Sequence, residues 1–97
     1  MVIVVRDGRV ELEQPEDMKD FKVVIHGNDP TALAGVGRMA GRDNAWIHFD
    51  AVRRLASGHI GPTWEQDFAA MVDFARTRGW IDDERKEIQA HVEWEPT

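Results

Sequence analysis

The chain has no cysteine and no tyrosine, and Ser57 is its only serine. Without cysteine there is no disulfide framework, no thiolate metal site and no cysteine nucleophile. The single serine lies outside any strand-to-helix glycine elbow, so covalent catalysis has few candidates. Long apolar runs are missing too. The clearest one, Val2 to Val5, is far too short to cross a bilayer. No basic segment leads into an apolar stretch as in a secretory signal. A cytoplasmic protein with no membrane partner is therefore expected. Concentrated positive charge is also absent. The net charge is −6, and the only adjacent basic pairs are Arg53-Arg54 and Arg85-Lys86. An acidic chain without a basic patch repels phosphate backbones, so a nucleic-acid partner is not expected.

What is present fits a single globular domain over residues 1–97. The apolar fraction of 42% supports a small core, and four Trp and four Phe give it bulk. There is no internal repeat, low-complexity tract or flexible linker.

Thr63 to Trp94 is the most decisively patterned stretch. Trp64, Phe68, Met71, Val72 and Ala75 repeat at helical spacing on one face, and Phe74 widens that stripe. Thr63 is placed to N-cap this helix, with Gln66 completing a capping box. Glu65 and Asp67 favour its start, Arg76 and Arg78 favour its end, and Gly79 is placed to stop it. Trp80-Ile81 and a polar turn, Asp82 to Glu87, follow. Ile88, Ala90, Val92 and Trp94 then alternate with Gln89, His91, Glu93 and Glu95, the pattern of a half-buried strand.

The first 26 residues read as strands. Val2–Arg6 and Arg9–Glu13 flank Asp7-Gly8, a strong signal for a type I′ hairpin. The first strand is apolar on both faces, so it should be the more covered of the two. Phe21–His26 is a third strand, with Phe21, Val23 and Ile25 on one face. Asp29-Pro30 then predicts a helix start, with Leu33, Val36 and Ala40 forming a stripe that runs to Gly41. Gly35 and Gly37 each weaken that helix by roughly 1 kcal/mol relative to Ala, and close approach to another element is their expected use. Ala45–Phe49 reads as a short strand expected to pair with Gln89–Trp94. Asp50 is expected to cap a short helix that ends at Gly58.

These signals predict an α+β fold with N-terminal antiparallel strands (a hairpin plus a third strand), three helices and a C-terminal strand. From Trp46 onward the order is strand, short helix, turn, longer helix, hairpin. Together with Arg78-Gly79-Trp80-Ile81-Asp82 at the helix exit, this order resembles the second half of a winged-helix module. In winged-helix DNA binders the last helix enters the major groove. Here that helix exposes Glu65, Asp67 and Asp73, and the wing-tip turn is mostly acidic. The resemblance implies a DNA-binding alternative carried by Arg53, Arg54, Arg76 and Arg78.

Other chemistries have thin support. Gly35-Val-Gly37 with Gly41 echoes a dinucleotide fingerprint, but the spacing is GxGxxxG, and no cofactor is expected. His48 and His91 come close only if their strands pair in a suitable register, and no HxH or HxxxH spacing supports a metal site. Asp82-Asp83-Glu84 lacks the glycine and terminal glutamate of a calcium loop. Asp50, Asp67 and Asp73 are better explained as cap and helix surface than as catalytic acids.

Trp46, Trp64, Trp80 and Trp94 each lie on or beside an apolar stripe, which predicts a shared aromatic core. A binding face or a Trp-lined pocket is the competing use. The reading favoured by the sequence is a non-catalytic binding, accessory or oligomerising module, acting on a protein partner or on itself as a homodimer. Its expected surface is Trp46, Arg53, Arg54, Trp80 and Trp94, since Trp and Arg are favoured interface anchors. A small enzyme or ligand-binding protein, and an acidic nucleic-acid mimic, are the further alternatives.

Overall fold

The structure is a computed structural model that describes residues 1–96. Strands β1 (Val2–Arg6) and β2 (Arg9–Glu13) form the expected hairpin. Asp7 and Gly8 have φ of 53° and 75°, the two positive values that a type I′ turn needs. Strand β3 (Lys22–His26) lies parallel to β1, not antiparallel as expected, because residues 14–21 carry the chain back to the start of β1, where the Lys22 N–H donates to the Met1 carbonyl at 3.3 Å. After it the predicted helix does not form. A 3-10 turn, Thr31–Gly35, ends at Val36 and gives way to strand β4 (Gly37–Ala40).

That correction has a local cause. Two glycines deprive the segment of helix propensity, and Gly37 is wedged against the next strand. A Cβ at Gly37 would lie 2.0 Å from the Trp46 carbonyl oxygen. The close approach expected of these glycines is thus real at Gly37, but it serves a β-ladder. Gly41, with φ of 73°, turns the chain into β5 (Asn44–His48), which pairs antiparallel with β4.

Helix α1 (Phe49–Ala56) follows at once, and α2 (Trp64–Thr77) after a turn. Asp50 does not cap α1; it binds Arg53 at 2.9 Å, and the Phe49 N–H donates instead to the Lys86 carbonyl at 2.9 Å. The capping box of α2 is not formed either. The Thr63 hydroxyl donates to Asp67 at 3.1 Å and accepts no backbone N–H. The end of α2 behaves as expected. Gly79 has φ of 79°, its N–H donates to Arg76, and the Trp80 N–H donates to Ala75 at 3.0 Å. These paired bonds satisfy the last carbonyls of the helix. Strand β6 (Ile81–Asp82) and the long β7 (Glu87–Glu95) complete the chain.

The strands make one mixed seven-stranded sheet in the order β2-β1-β3-β7-β5-β4, with β6 paired to β7. The predicted pairing of the Trp46 segment with the last strand is present, with Ala45 opposite Ala90 and Ile47 opposite Ile88. β7 also lies parallel to β3. This sheet and two α-helices replace the expected three helices, and the winged-helix arrangement is not seen. The segment that should have been a wing is the middle of a large sheet.

Both helices pack on the inner face of the sheet. Ile3, Val5, Val23, Ile25, Ile47, Ile88 and Val92 meet Phe49, Val52, Phe68 and Val72 in one core. Trp64 stacks on Phe68 with centroids 4.9 Å apart, and Phe49 meets Phe68 edge-on at 6.2 Å. The Trp64 indole N–H donates to the Pro15 carbonyl at 2.7 Å, which brings the 14–20 loop to the same side. Of the four tryptophans only Trp64 is fully buried, so the shared tryptophan core is not built. Phe74 is 56% exposed and lies outside the apolar stripe of α2, with the Arg78 guanidinium 5.1 Å from its ring centroid. No helix is long and apolar enough to cross a membrane among the described residues.

Candidate functional site

The outer face of the sheet carries the side chains that alternate with the core. Arg38 on β4 is opposite Trp46 on β5, and Trp46 is opposite Gln89 on β7. The Gln89 N–H donates to the Trp80 carbonyl at 2.8 Å, which brings Trp80 to the other side of Gln89. Arg38, Trp46, Gln89 and Trp80 thus form one row across the sheet. The Arg38 guanidinium is 5.7 Å from the Trp46 ring centroid. Trp80 is 43% exposed and borders a cleft of about 190 Å³ with Phe21, Asn44, Gln89 and His91.

Beside this row lies a buried carboxylate that sequence reasoning missed. Glu87 is 1% exposed. Arg38 donates to its Oε1 through Nη2 at 3.1 Å and Nε at 3.3 Å, and His48 Nδ1 lies 3.2 Å from its Oε2. Asp82 approaches the same guanidinium at 4.0 Å. Burying a carboxylate is tolerable only when its oxygens are satisfied, and both are here. In the sequence Glu87 reads as the end of a polar turn. The signal that could have found it is the register: pairing Ile47 with Ile88 places Glu87 opposite His48. The same register leaves His91 opposite Asn44, four positions along the strand, so the two histidines do not form a pair.

A second feature sits where β5 runs into α1. The Asp82 carboxylate accepts from the Glu84 and Arg85 N–H groups, each at 3.1 Å, and Lys86 takes φ of 57°. This folds the 83–86 turn back so that the Lys86 carbonyl receives the first N–H of α1. A cavity of about 300 Å³ opens there, lined by Gly35, His48, Asp50, Ala51, Arg54, Arg85 and Lys86.

The five residues expected to form one surface are therefore divided. Trp46 and Trp80 share the outer face. Trp94 alternates onto the inner face at the margin of the sheet, opposite Ile25; its indole N–H donates to the Arg42 carbonyl at 2.9 Å, and the Arg42 guanidinium lies 4.3 Å from its ring centroid. Arg54 reaches the cavity. Arg53 ties the helices together, donating to Glu65 at 2.7 Å and to Asp50 at 2.9 Å. Burial lowers the proton affinity of Arg53, but its bonds to Glu65 and Asp50 outweigh this and raise it overall. The cations of the DNA-binding alternative do not converge on one surface either. Arg76 is clamped between Asp73 and Asp83, and Arg78 lies over Phe74.

No protein-family model matches the sequence, and no similar chain was found among curated proteins or solved structures. Function must be read from these residues alone.

Proposed function

We propose that the chain is a non-catalytic binding module that self-associates through the outer face of its sheet. The observation that carries this reading is the row Arg38, Trp46, Gln89 and Trp80 on a face that neither helix covers. Its two tryptophans and the arginine at its β4 end are the residue types that anchor protein interfaces. A second copy is the occupant that fits best, because the face carries both charge signs. Lys22 and Arg38, paired within the chain to Glu93 and Glu87 respectively but still partly exposed, stand among Glu11, Glu93 and Glu95. A two-fold axis sets a patch against itself, so a mixed patch can place cation against carboxylate on both sides.

The test is chromatography with light scattering on the whole chain across a wide concentration range, for the wild type and Trp80→Glu. The wild type is expected to pass from monomer to dimer mass as concentration rises. Trp80→Glu is expected to stay monomeric with an unchanged circular dichroism spectrum. A wild type that remains monomeric throughout overturns the reading.

A further inference from the structure

We infer that the cavity at the β5–α1 corner binds a phosphoryl group, held by Arg54, Arg85, Lys86 and His48. The cavity is distinct from the Trp46–Trp80 row, and the inference does not rest on self-association.

Three cations converge on this cavity from two separate elements, Arg54 from α1 and Arg85 and Lys86 from the β6–β7 turn. None of the three takes part in an ion pair among the described residues, whereas Lys22, Arg38, Arg53 and Arg76 all do. The Arg54 guanidinium makes one long contact, Nη2 donating to the Gly35 carbonyl at 3.4 Å, which leaves its other donors free. Asp50 is the only carboxylate in the lining, and Arg53 engages it at 2.9 Å. In a chain of net charge −6, this is a local excess of positive charge, with Lys86 only in longer-range attraction to Asp83. Like charges held together repel, and an anion between them relieves that repulsion.

Two features hold the cluster in place before any ligand arrives. The hydrogen bond from the Phe49 N–H to the Lys86 carbonyl fixes the turn against α1. Glu87 holds His48 through Nδ1, so Nε2 is the ring nitrogen left for the cavity. Glu87 is thus a positioning residue for His48. Donors fixed in advance cost less to organise on binding. Several cationic donors around one cavity suit a tetrahedral dianion better than a planar monoanion, and arginine matches phosphate geometry well. A volume of about 300 Å³ leaves room for an organic portion beside the phosphate.

Titration of the isotopically labelled whole chain, followed by amide NMR, tests the site. The probes are inorganic phosphate, phenyl phosphate and acetate at matched ionic strength. Saturable shifts are expected at the His48, Ala51, Arg85 and Lys86 amides, with phosphate binding at least about tenfold tighter than acetate. Arg54→Gln and Lys86→Gln are each expected to weaken phosphate by about threefold or more. Arg9→Gln makes the same charge change at a residue outside the cavity lining and is expected to stay within about twofold. Tighter binding of phenyl phosphate than of inorganic phosphate identifies the source as a small phosphorylated molecule, and equal binding identifies it as free phosphate; both uphold the site. Shifts that do not saturate, equal binding of acetate, or a loss in Arg9→Gln as large as in the cavity variants overturns it.

Discussion

Along β7, Ile88, Ala90 and Val92 point inward and are buried, while Gln89, His91 and Glu93 on the same strand point outward. The neighbouring strand repeats the contrast, with Ala45 and Ile47 inward and Trp46 and His48 outward. The inner side is one apolar cluster that ends in the Trp64–Phe68 stack. The outer side is a mosaic of ion pairs, histidines and two tryptophans, with one carboxylate buried by its own partners. A single sheet therefore separates two tasks. Contacts on the inner face fix which fold forms. Those on the outer face are mostly polar and link neighbouring strands through pairs such as Lys22–Glu93 and Arg38–Glu87.

Three substitutions probe that contrast. The largest effect is expected from Phe68→Ala, which removes a fully buried ring between Trp64 and Phe49. A loss of about 3–5 kcal/mol in unfolding free energy is expected by urea denaturation. A loss under about 1 kcal/mol would mean that the inner face is not the main source of stability.

The next effect is expected at the sheet edge. Gly37→Ala sets a methyl group against the Trp46 carbonyl, so β4 must shift away from β5. About 1–3 kcal/mol should be lost in the same measurement, as for other overpacked sites. Amide protection should fall along β4 and β5 but not at β1 or β2. Uniform loss would show that the edge is no weaker than the centre.

The smallest effect concerns exposed charge. Hydrogen bonds from Arg76 hold the Asp83 carboxyl below the ordinary aspartate value of 3.8. A carboxyl depressed in the folded state stabilises it above that value, and the contribution is lost as pH falls through the lower folded value. Arg76→Gln should therefore be slightly less stable than wild type near neutrality, and the difference should shrink as pH drops below 3.8. Thermal melts across an acid series measure this. A difference that stays constant with pH would assign the loss to packing by the Arg76 stem.

The sequence was most legible where a local rule coincided with a tertiary need. Asp7-Gly8 has one favourable turn to make, and Gly79 one favourable exit. The stripe of α2 and the alternation of β7 also appear as expected, because each buries its face in the same core. Legibility failed where a distant partner decided the outcome. Residues 36–40 carry an apolar pattern that suits a helix, but the backbone of Trp46 recruits them as an edge strand. Thr63 has the right chemistry for a cap, yet Asp67 takes its hydroxyl. The tryptophans looked alike because each lies on or beside an apolar stripe, yet the inward face of α2 buries Trp64 while strand register turns Trp46 and Trp80 outward. The cavity cations were visible as two basic pairs. Their convergence depends on the left-handed turn at Lys86 and its bond to Phe49, neither of which has a local sequence signature.

The position of β7 has a consequence for how the chain reaches this state. β7 lies between β3 and β5, so it alone joins the β2-β1-β3 half of the sheet to the β5-β4 half. During synthesis both halves emerge before their link does. Until residues 87–95 leave the ribosome, each half presents an unpaired edge to whatever is nearby. Closing the sheet then requires contacts between residues far apart in the sequence, a topology that folds slowly. β7, made after both halves, is the keystone, and the nascent chain is exposed to edge-to-edge mispairing until it arrives.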